Sequence, residues 1–110
     1  MLPAKVFAWS SIPADSPMPL IQRQRIMGEK MMLSLVEFEP RAVVQPHSHP
    51  HEQMGMLLAG ELTFTIGGQT QTLQPGEMWR IPGGVVHGAV AGNAPVKALD
   101  VFHPIREDYR

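Results

Sequence analysis

The sequence predicts an all-β protein, an antiparallel sandwich or barrel. Eleven prolines and ten glycines are spread over only 110 residues, a density that argues against long helices. Between them lie short apolar runs at intervals of roughly 8–12 residues, the spacing expected of short strands joined by tight turns. With 44% hydrophobic residues, the chain is long enough to form one domain, residues 1–110, around a buried core.

Individual strands follow from the alternation of apolar and polar residues. The clearest strand covers residues 62–66, where every second side chain is apolar. Gly67-Gly68 predicts a two-residue hairpin turn, and residues 69–73 form the returning strand. Residues 1–20 are expected to form an extended arm, and residues 105–110 one helical turn. Further strands are predicted over residues 22–26, 31–39, 78–81, 85–91 and 96–102.

Composition excludes several classes of function. Nine basic residues against ten acidic ones give a net charge of −1, so no basic surface for nucleic acid is expected. No apolar run approaches the ~18 residues that a membrane-spanning helix needs. The chain contains no cysteine and starts without the apolar stretch of a signal peptide. We therefore expect a cytoplasmic protein that binds neither nucleic acid nor membranes.

Three of the five histidines lie within five residues, in the segment from Pro46 to Gln53. If this segment is a strand, His47 and His49 point to the same face about 6.6 Å apart and can reach one ion. Gln53 can join them only if the chain folds back after Pro50, and His87 is the fourth candidate ligand. Imidazole nitrogens and an amide oxygen suit a divalent transition metal. Spacing alone leaves a histidine-containing surface loop equally open.

Two gapped motifs resolve this ambiguity, because the chain resembles the cupin family. The first cupin motif is Gly-x5-His-x-His-x3,4-Glu-x6-Gly, and the chain has His47-x-His49-x3-Gln53-x6-Gly60. The second is Gly-x5-Pro-x-Gly-x2-His-x3-Asn, and the chain has Gly76-x5-Pro82-x-Gly84-x2-His87. The resemblance implies a double-stranded β-helix, the jelly-roll barrel of cupins, with a metal held by His47, His49, Gln53 and His87.

The chain departs from these motifs at three positions. Arg41 replaces the leading glycine of the first motif, and Ala91 replaces the final asparagine of the second. Gln53 replaces the usual glutamate, so the four ligands carry no charge before metal binds. Such a site is expected to hold its metal less tightly, to preserve Lewis acidity and to favour chemistry without a redox step. Nickel, zinc, manganese, iron and cobalt all fit these ligands.

A more specific resemblance extends over most of the chain. Residues 46–53, 60–67 and 100–109 are similar to the pectin-degradation cupins, which convert 4,5-unsaturated uronates to linear 5-keto-4-deoxyuronate. The resemblance implies that the partner of this protein is a small sugar acid and that the protein is a homodimer. Met56 stands where this group usually has an aromatic residue, a change expected to reshape the pocket wall.

The resemblance also assigns roles near the end of the chain. Ala98, Asp100 and Phe102 share one face of the predicted strand 96–102. If that face lines the barrel, Asp100 is the general acid/base and Phe102 a wall of the pocket. Burial raises the pKa of such a carboxyl group, whereas a nearby metal lowers it. Without the resemblance, a salt-bridged carboxylate is the simpler interpretation of Asp100.

A sugar acid requires a cation that binds its carboxylate, and arginine suits this role. Arg106 matches the tail of the pectin-degradation group and is the first candidate; Arg23, Arg25 and Arg80 follow. Two other functions stay open at this point. One is a different cupin enzyme, namely a dioxygenase, a lyase or a sugar isomerase. The other is a cupin that binds a small ligand without catalysis.

Overall fold

Two antiparallel sheets make up the computed structural model, which describes residues 1–105. Their strands are β1 (Asp15–Met18), β2 (Ile21–Met27), β3 (Met32–Phe38), β4 (Val43–His47), β5 (Glu52–Ala59), β6 (Leu62–Ile66), β7 (Gln69–Leu73), β8 (Met78–Ile81), β9 (His87–Ala91) and β10 (Val96–His103). One sheet has the order β1-β2-β3-β10-β5-β8, and the other has the order β4-β9-β6-β7. A 3-10 helix covers Trp9–Ser11. The predicted all-β antiparallel fold is confirmed.

The core lies between the two sheets. Leu57, Trp79 and Ala98 come from the six-stranded sheet, and they share one cluster of buried side chains with Phe64 and Ala89 from the four-stranded sheet. Strands β8 and β10 contribute alternate residues to this interior. Burying these apolar side chains is the main force that holds the sheets together.

The β6–β7 hairpin forms as the sequence predicts. Gly67 and Gly68 have φ angles of +57° and +82°, a left-handed conformation at both turn positions that glycine adopts without strain. The two strands have the predicted bounds, and Leu62 and Phe64 are buried. The predicted strand 85–91 begins two residues later, at His87, because the Val85 N–H donates to Pro82 O and closes the turn that precedes the strand.

The N-terminal segment is more regular than the extended arm that its prolines predict. Residues 15–18 form β1, an edge strand that pairs with β2 in the six-stranded sheet. Strands β4 and β5 were not predicted from alternation. Most of β4 is exposed, and β5 alternates poorly because its outer face carries Met54, Met56 and Leu58. The helical turn predicted over residues 105–110 lies, beyond Ile105, outside the described residues. Among residues 1–105, no helix is long and apolar enough to span a membrane.

Candidate metal centre

Two histidines of the predicted segment, His47 and His49, and the downstream His87 come together at one end of the four-stranded sheet. His47 ends β4 and pairs in register with His87, which begins β9. His49 follows in the loop after β4 and is buried, as is His87. Each residue offers one ring nitrogen, and these nitrogens lie within 4.8 Å of one another. They are therefore close enough to bind one ion.

The expected placement of His47 and His49 on one strand is wrong. The strand ends at His47, and Ser48 and His49 lie in the loop that leads to β5. Their rings nevertheless approach to 5.7 Å between centroids. The chain bends at Pro50 and His51, and it is this bend that turns His49 towards Gln53, as the fold-back prediction required.

Backbone carbonyl groups determine which ring nitrogen of each histidine carries the proton. Each Nδ1 lies within hydrogen-bonding distance of a carbonyl oxygen two residues away: His47 with Gln45 (3.0 Å), His49 with His51 (3.1 Å) and His87 with Val85 (2.9 Å). A carbonyl oxygen only accepts, so the proton of each neutral ring belongs on Nδ1. The Nε2 atoms then carry the lone pairs that bind metals, and the carbonyls hold the rings in orientation.

Gln53 adds an oxygen to this cluster. Its Oε1 lies 3.1 Å from His49 Nε2, at the start of β5. If His49 carries its proton on Nδ1, both of these atoms are acceptors, and two acceptors at this distance repel each other. A cation between them removes the conflict. The donor set of three imidazoles and one amide oxygen thus fits a divalent transition metal, without any charged ligand.

Asp100 holds Gln53 in this orientation. Its Oδ1 accepts a hydrogen bond of 2.9 Å from Gln53 Nε2 and another of 2.8 Å from Trp79 Nε1. Because a carboxylate oxygen accepts, the Gln53 nitrogen must face Asp100 and the amide oxygen must face His49. Gly55 lies opposite Asp100 in β5, and a Cβ there would come within 2.5 Å of Asp100 Oδ1. A side chain at position 55 is therefore incompatible with this network.

A cavity of about 90 Å³ connects these groups. Its polar and aromatic lining includes Arg23, His47, Gln53, His87, Asp100 and Phe102. The prediction that Ala98, Asp100 and Phe102 share an inward face of one strand is confirmed, because all three are buried while Leu99 and Val101 are only half-buried. The Phe102 ring meets that of His49 edge-on, 5.7 Å between centroids.

The candidate arginines occupy different places. Arg23 lines the cavity and binds Asp15 of β1, whereas Arg25 binds the same carboxylate without lining the cavity. The hydrogen bond from Arg23, together with the positive charges of both arginines, holds the pKa of Asp15 below its ordinary value. Arg80 is exposed and alternates with the inward-facing Trp79, so it does not reach the cavity. Arg106 lies outside the described residues.

Two features of the site differ from the sequence interpretation. Met56 does not form a pocket wall, because it lies on the outer face of β5, where it pairs with Leu99 and Met78. Trp79 and Gly55 were not singled out, although both belong to the Asp100 network. The signal for Trp79 was weak: a single aromatic residue in a short strand reads as core packing, which it also provides against Phe64.

With the geometry in place, comparison with known proteins gives the family. The model of the cupin domain family matches residues 34–102, which span strands β3 to β10 and contain all four candidate ligands. The chain belongs to the cupin family. The jelly-roll fold that the motifs implied is thereby confirmed, and the matched region contains His47, His49 and His87.

Individual relatives of this cupin have diverse names. The structure of KdgF from Halomonas sp. superposes with a TM-score of 0.92 at 29% identity, covering 98% of this chain and 100% of that one. This likeness agrees with the sequence resemblance to the pectin-degradation cupins. Germin-like protein 9-2 of Oryza sativa subsp. japonica is 30% identical over an alignment of 110 positions, which covers 89% of this chain and 51% of that protein.

A lyase is also among the relatives of this cupin. The dimethylsulfoniopropionate lyase DddW of Ruegeria pomeroyi is 36% identical over 73 residues, which cover 66% of this chain and 48% of the lyase. The cupin spans about half the length of these two curated relatives. Many cupins of this kind are enzymes, and the histidine cluster of this chain can bind a transition metal.

Proposed function

We propose that this cupin is a metal-dependent, non-redox enzyme that converts 4,5-unsaturated uronates to linear 5-keto-4-deoxyuronate. The observation that carries the proposal is Asp100, a buried carboxylate in the same cavity as the histidine cluster and hydrogen-bonded to Gln53. Similarity to KdgF over the full length of both chains supports the same assignment. A small sugar acid is the substrate class that this proposal requires.

The metal held by His47, His49, His87 and Gln53 would supply Lewis acidity that polarises an oxygen of the sugar. The overall change is an isomerisation, so no atom is gained or lost. The 1-hydroxyl group gives up a proton, the bond between C1 and the ring oxygen breaks, and C4 takes up a proton as C5 becomes a ketone. A group that accepts one proton and returns another is sufficient for this conversion.

Asp100 is the proposed acid/base. Hydrogen bonds from Gln53 and Trp79 stabilise its ionised form, in which it can accept the hydroxyl proton before it delivers one to C4. Phe102 forms an apolar wall that excludes water from the reacting carbons. Arg23 is the candidate among the described residues that can bind the substrate carboxylate from within the cavity, and Arg106 stays a second candidate.

The direct test is incubation with a 4,5-unsaturated galacturonate while the absorbance of the C=C bond is followed. Metal-loaded protein should accelerate its loss over the spontaneous rate, and the linear keto acid should appear in equal amount. Chelator-treated protein is the matched control and should return to the spontaneous rate. An unchanged rate with metal-loaded protein would refute the proposed function.

A lyase is the second candidate, because DddW is 36% identical over 73 residues. Its named substrate also carries a carboxylate, and an acid/base next to a metal can remove a proton beside that carboxylate. Incubation with dimethylsulfoniopropionate and detection of dimethyl sulfide in the headspace separates the two functions. Release of dimethyl sulfide without any effect on the uronate would favour the lyase.

Three expectations about the whole molecule accompany this proposal. A single domain over residues 1–110, a cytoplasmic setting and a homodimer all stay predictions. Light scattering of the purified protein tests the homodimer, because a dimer of the 12.2 kDa chain has twice that mass.

A further inference from the structure

Arg23 is engaged by a carboxylate from its own chain. Its Nε lies 3.0 Å from Asp15 Oδ1 and its Nη2 lies 3.2 Å from Oδ2, so the two groups meet through paired hydrogen bonds. Arg25 Nη2 reaches the same Oδ2 at 3.3 Å. Parallel bonds of this kind are how arginine binds a carboxylate ligand. The Asp15 carboxylate therefore occupies the hydrogen-bonding edge of Arg23 that a carboxylate ligand would use.

Arg23, the cationic member of this pair, lies at the wall of the candidate active site. Arg23 and the β1 residues Pro17 and Met18 line the same cavity as the histidine cluster. The cavity holds about 90 Å³, well below the ~300 Å³ at the lower end of ligand pockets. A sugar acid can bind beside the histidines only after part of this wall has moved.

β1 is attached to the rest of its sheet along one side only. It is the edge strand of its sheet, it pairs with β2 alone, and its register is interrupted between Asp15 and Met18. The Asp15 side chain is 44% exposed, whereas that of Arg23 is 12% exposed. Water and dissolved anions thus reach the carboxylate, while the guanidinium group stays in the wall.

We propose that β1 is a displaceable strap, and that Asp15 fills the Arg23 carboxylate site until a sugar acid replaces it. The ionised state of Asp15, which its lowered pKa favours, gives it the same charge as a uronate at neutral pH. Binding exchanges one carboxylate for another on Arg23, and the departing strand enlarges the cavity beside the histidines. The identity of the ligand as a uronate rests on the proposed function, but the exchange itself does not.

Calorimetry of the metal-loaded protein with D-galacturonate, a uronate without the reactive double bond, tests this exchange. Asp15→Asn removes the competing charge and should tighten binding roughly two- to fivefold, the value of an exposed ion pair. Arg23→Gln should abolish binding. Glu37→Gln is the matched control, because it removes one charge from another ion pair on the same sheet, with Lys97, and should leave the affinity unchanged. D-galactose, which has no carboxylate, should not bind.

Unchanged or weaker binding by Asp15→Asn would overturn the proposal, and weaker binding would mean that Asp15 orients Arg23 for the ligand. If galacturonate binds neither to the unmodified protein nor to Asp15→Asn, the proposal is overturned as well. A measurement on the unmodified protein avoids any effect of substitution on folding. Adding D-galacturonate should speed hydrogen exchange of the backbone amides of Asp15, Ser16 and Met18, and slower or unchanged exchange would contradict displacement.

The outcome separates this proposal from the proposed function. Tighter galacturonate binding by Asp15→Asn together with no turnover of the unsaturated uronate would support the strap and refute the reaction. Turnover without any effect of Asp15→Asn on galacturonate binding would support the reaction and refute the strap.

Discussion

Gln53 Nε2 donates a hydrogen bond of 2.9 Å to Asp100 Oδ1, although the two residues are 47 positions apart in the sequence. This bond joins the proposed acid/base to the amide whose oxygen faces His49. It also gives a reason for the departure from the cupin motif, in which a glutamate stands at this position. Glutamate has no proton to donate when ionised, so beside Asp100 only an amide can present an oxygen to the histidines and a donor to the carboxylate.

The first prediction tests this explanation. Gln53→Glu places two carboxylates in contact in a buried site and removes the donor to Asp100. We expect the metal-free variant to lose about 1–3 kcal/mol of its free energy of unfolding, the cost of a buried polar group without its partner. Urea denaturation of chelator-treated protein gives this value.

A second substitution provides the control. In the double variant Gln53→Glu/Asp100→Asn, the donor and acceptor are exchanged, so a hydrogen bond can form again in the opposite direction. The double variant should recover most of the lost stability. If the effects of the two substitutions simply add, the hydrogen bond is not what requires glutamine at position 53.

Metal content should depend on His87. His87→Ala removes one of three clustered imidazoles. Loss of a residue that only hydrogen-bonds to a ligand weakens metal binding roughly 10- to 100-fold, so loss of a ligand itself should weaken it by more. Elemental analysis after dialysis measures the occupancy. His103→Ala, at an exposed position of β10, should retain the metal. Full occupancy in the His87 variant would contradict the ligand set.

Turnover should depend on the charge of Asp100. Asp100→Asn keeps an oxygen that can accept from Gln53 and Trp79 but cannot exchange a proton. We expect kcat for the unsaturated uronate to fall roughly 10²- to 10⁴-fold, the usual contribution of a general acid/base, while the metal content is unchanged. Trp79→Phe removes one donor to Asp100 and should have a smaller effect. Turnover equal to that of the unmodified protein would refute the assignment of Asp100.

The ion pair of Asp15 should contribute to stability only above acidic pH. Its pKa is lower in the folded chain than in the unfolded one, because Arg23 stabilises the carboxylate. The contribution is therefore fully present above the unfolded pKa and is lost as pH falls through the folded pKa. Since the Asp15 side chain is 44% exposed, it should amount to roughly 0.2–1 kcal/mol.

Chemical denaturation of the unmodified protein and of Asp15→Asn checks this contribution. The difference in the free energy of unfolding should be constant from pH 7 to pH 5 and should shrink below about pH 4. High salt should reduce it at neutral pH, because screening weakens an exposed pair. If the difference grew as pH falls, the pKa of Asp15 would have to be raised by folding, and the ion pair with Arg23 would be excluded.

Much of the fold was readable from local pattern. The hairpin of β6 and β7 has its predicted bounds because alternation and the Gly67-Gly68 turn are properties of adjacent residues. β1 and β4 were missed because they are edge strands with mostly exposed side chains, whose formation depends on pairing with distant partners. No local signal distinguishes such a strand from a proline-containing loop.

The sequence by itself determined the family, the histidine cluster and the inward face of β10. Fixed spacings and alternation carry this information within a short stretch of chain. Tertiary structure alone decided that Asp100 accepts hydrogen bonds from Gln53 and Trp79, and that Asp15 forms an ion pair with Arg23. The physical reason is that hydrogen bonds act over about 3 Å between atoms, and the pairing of strands decides which distant residues come within that range.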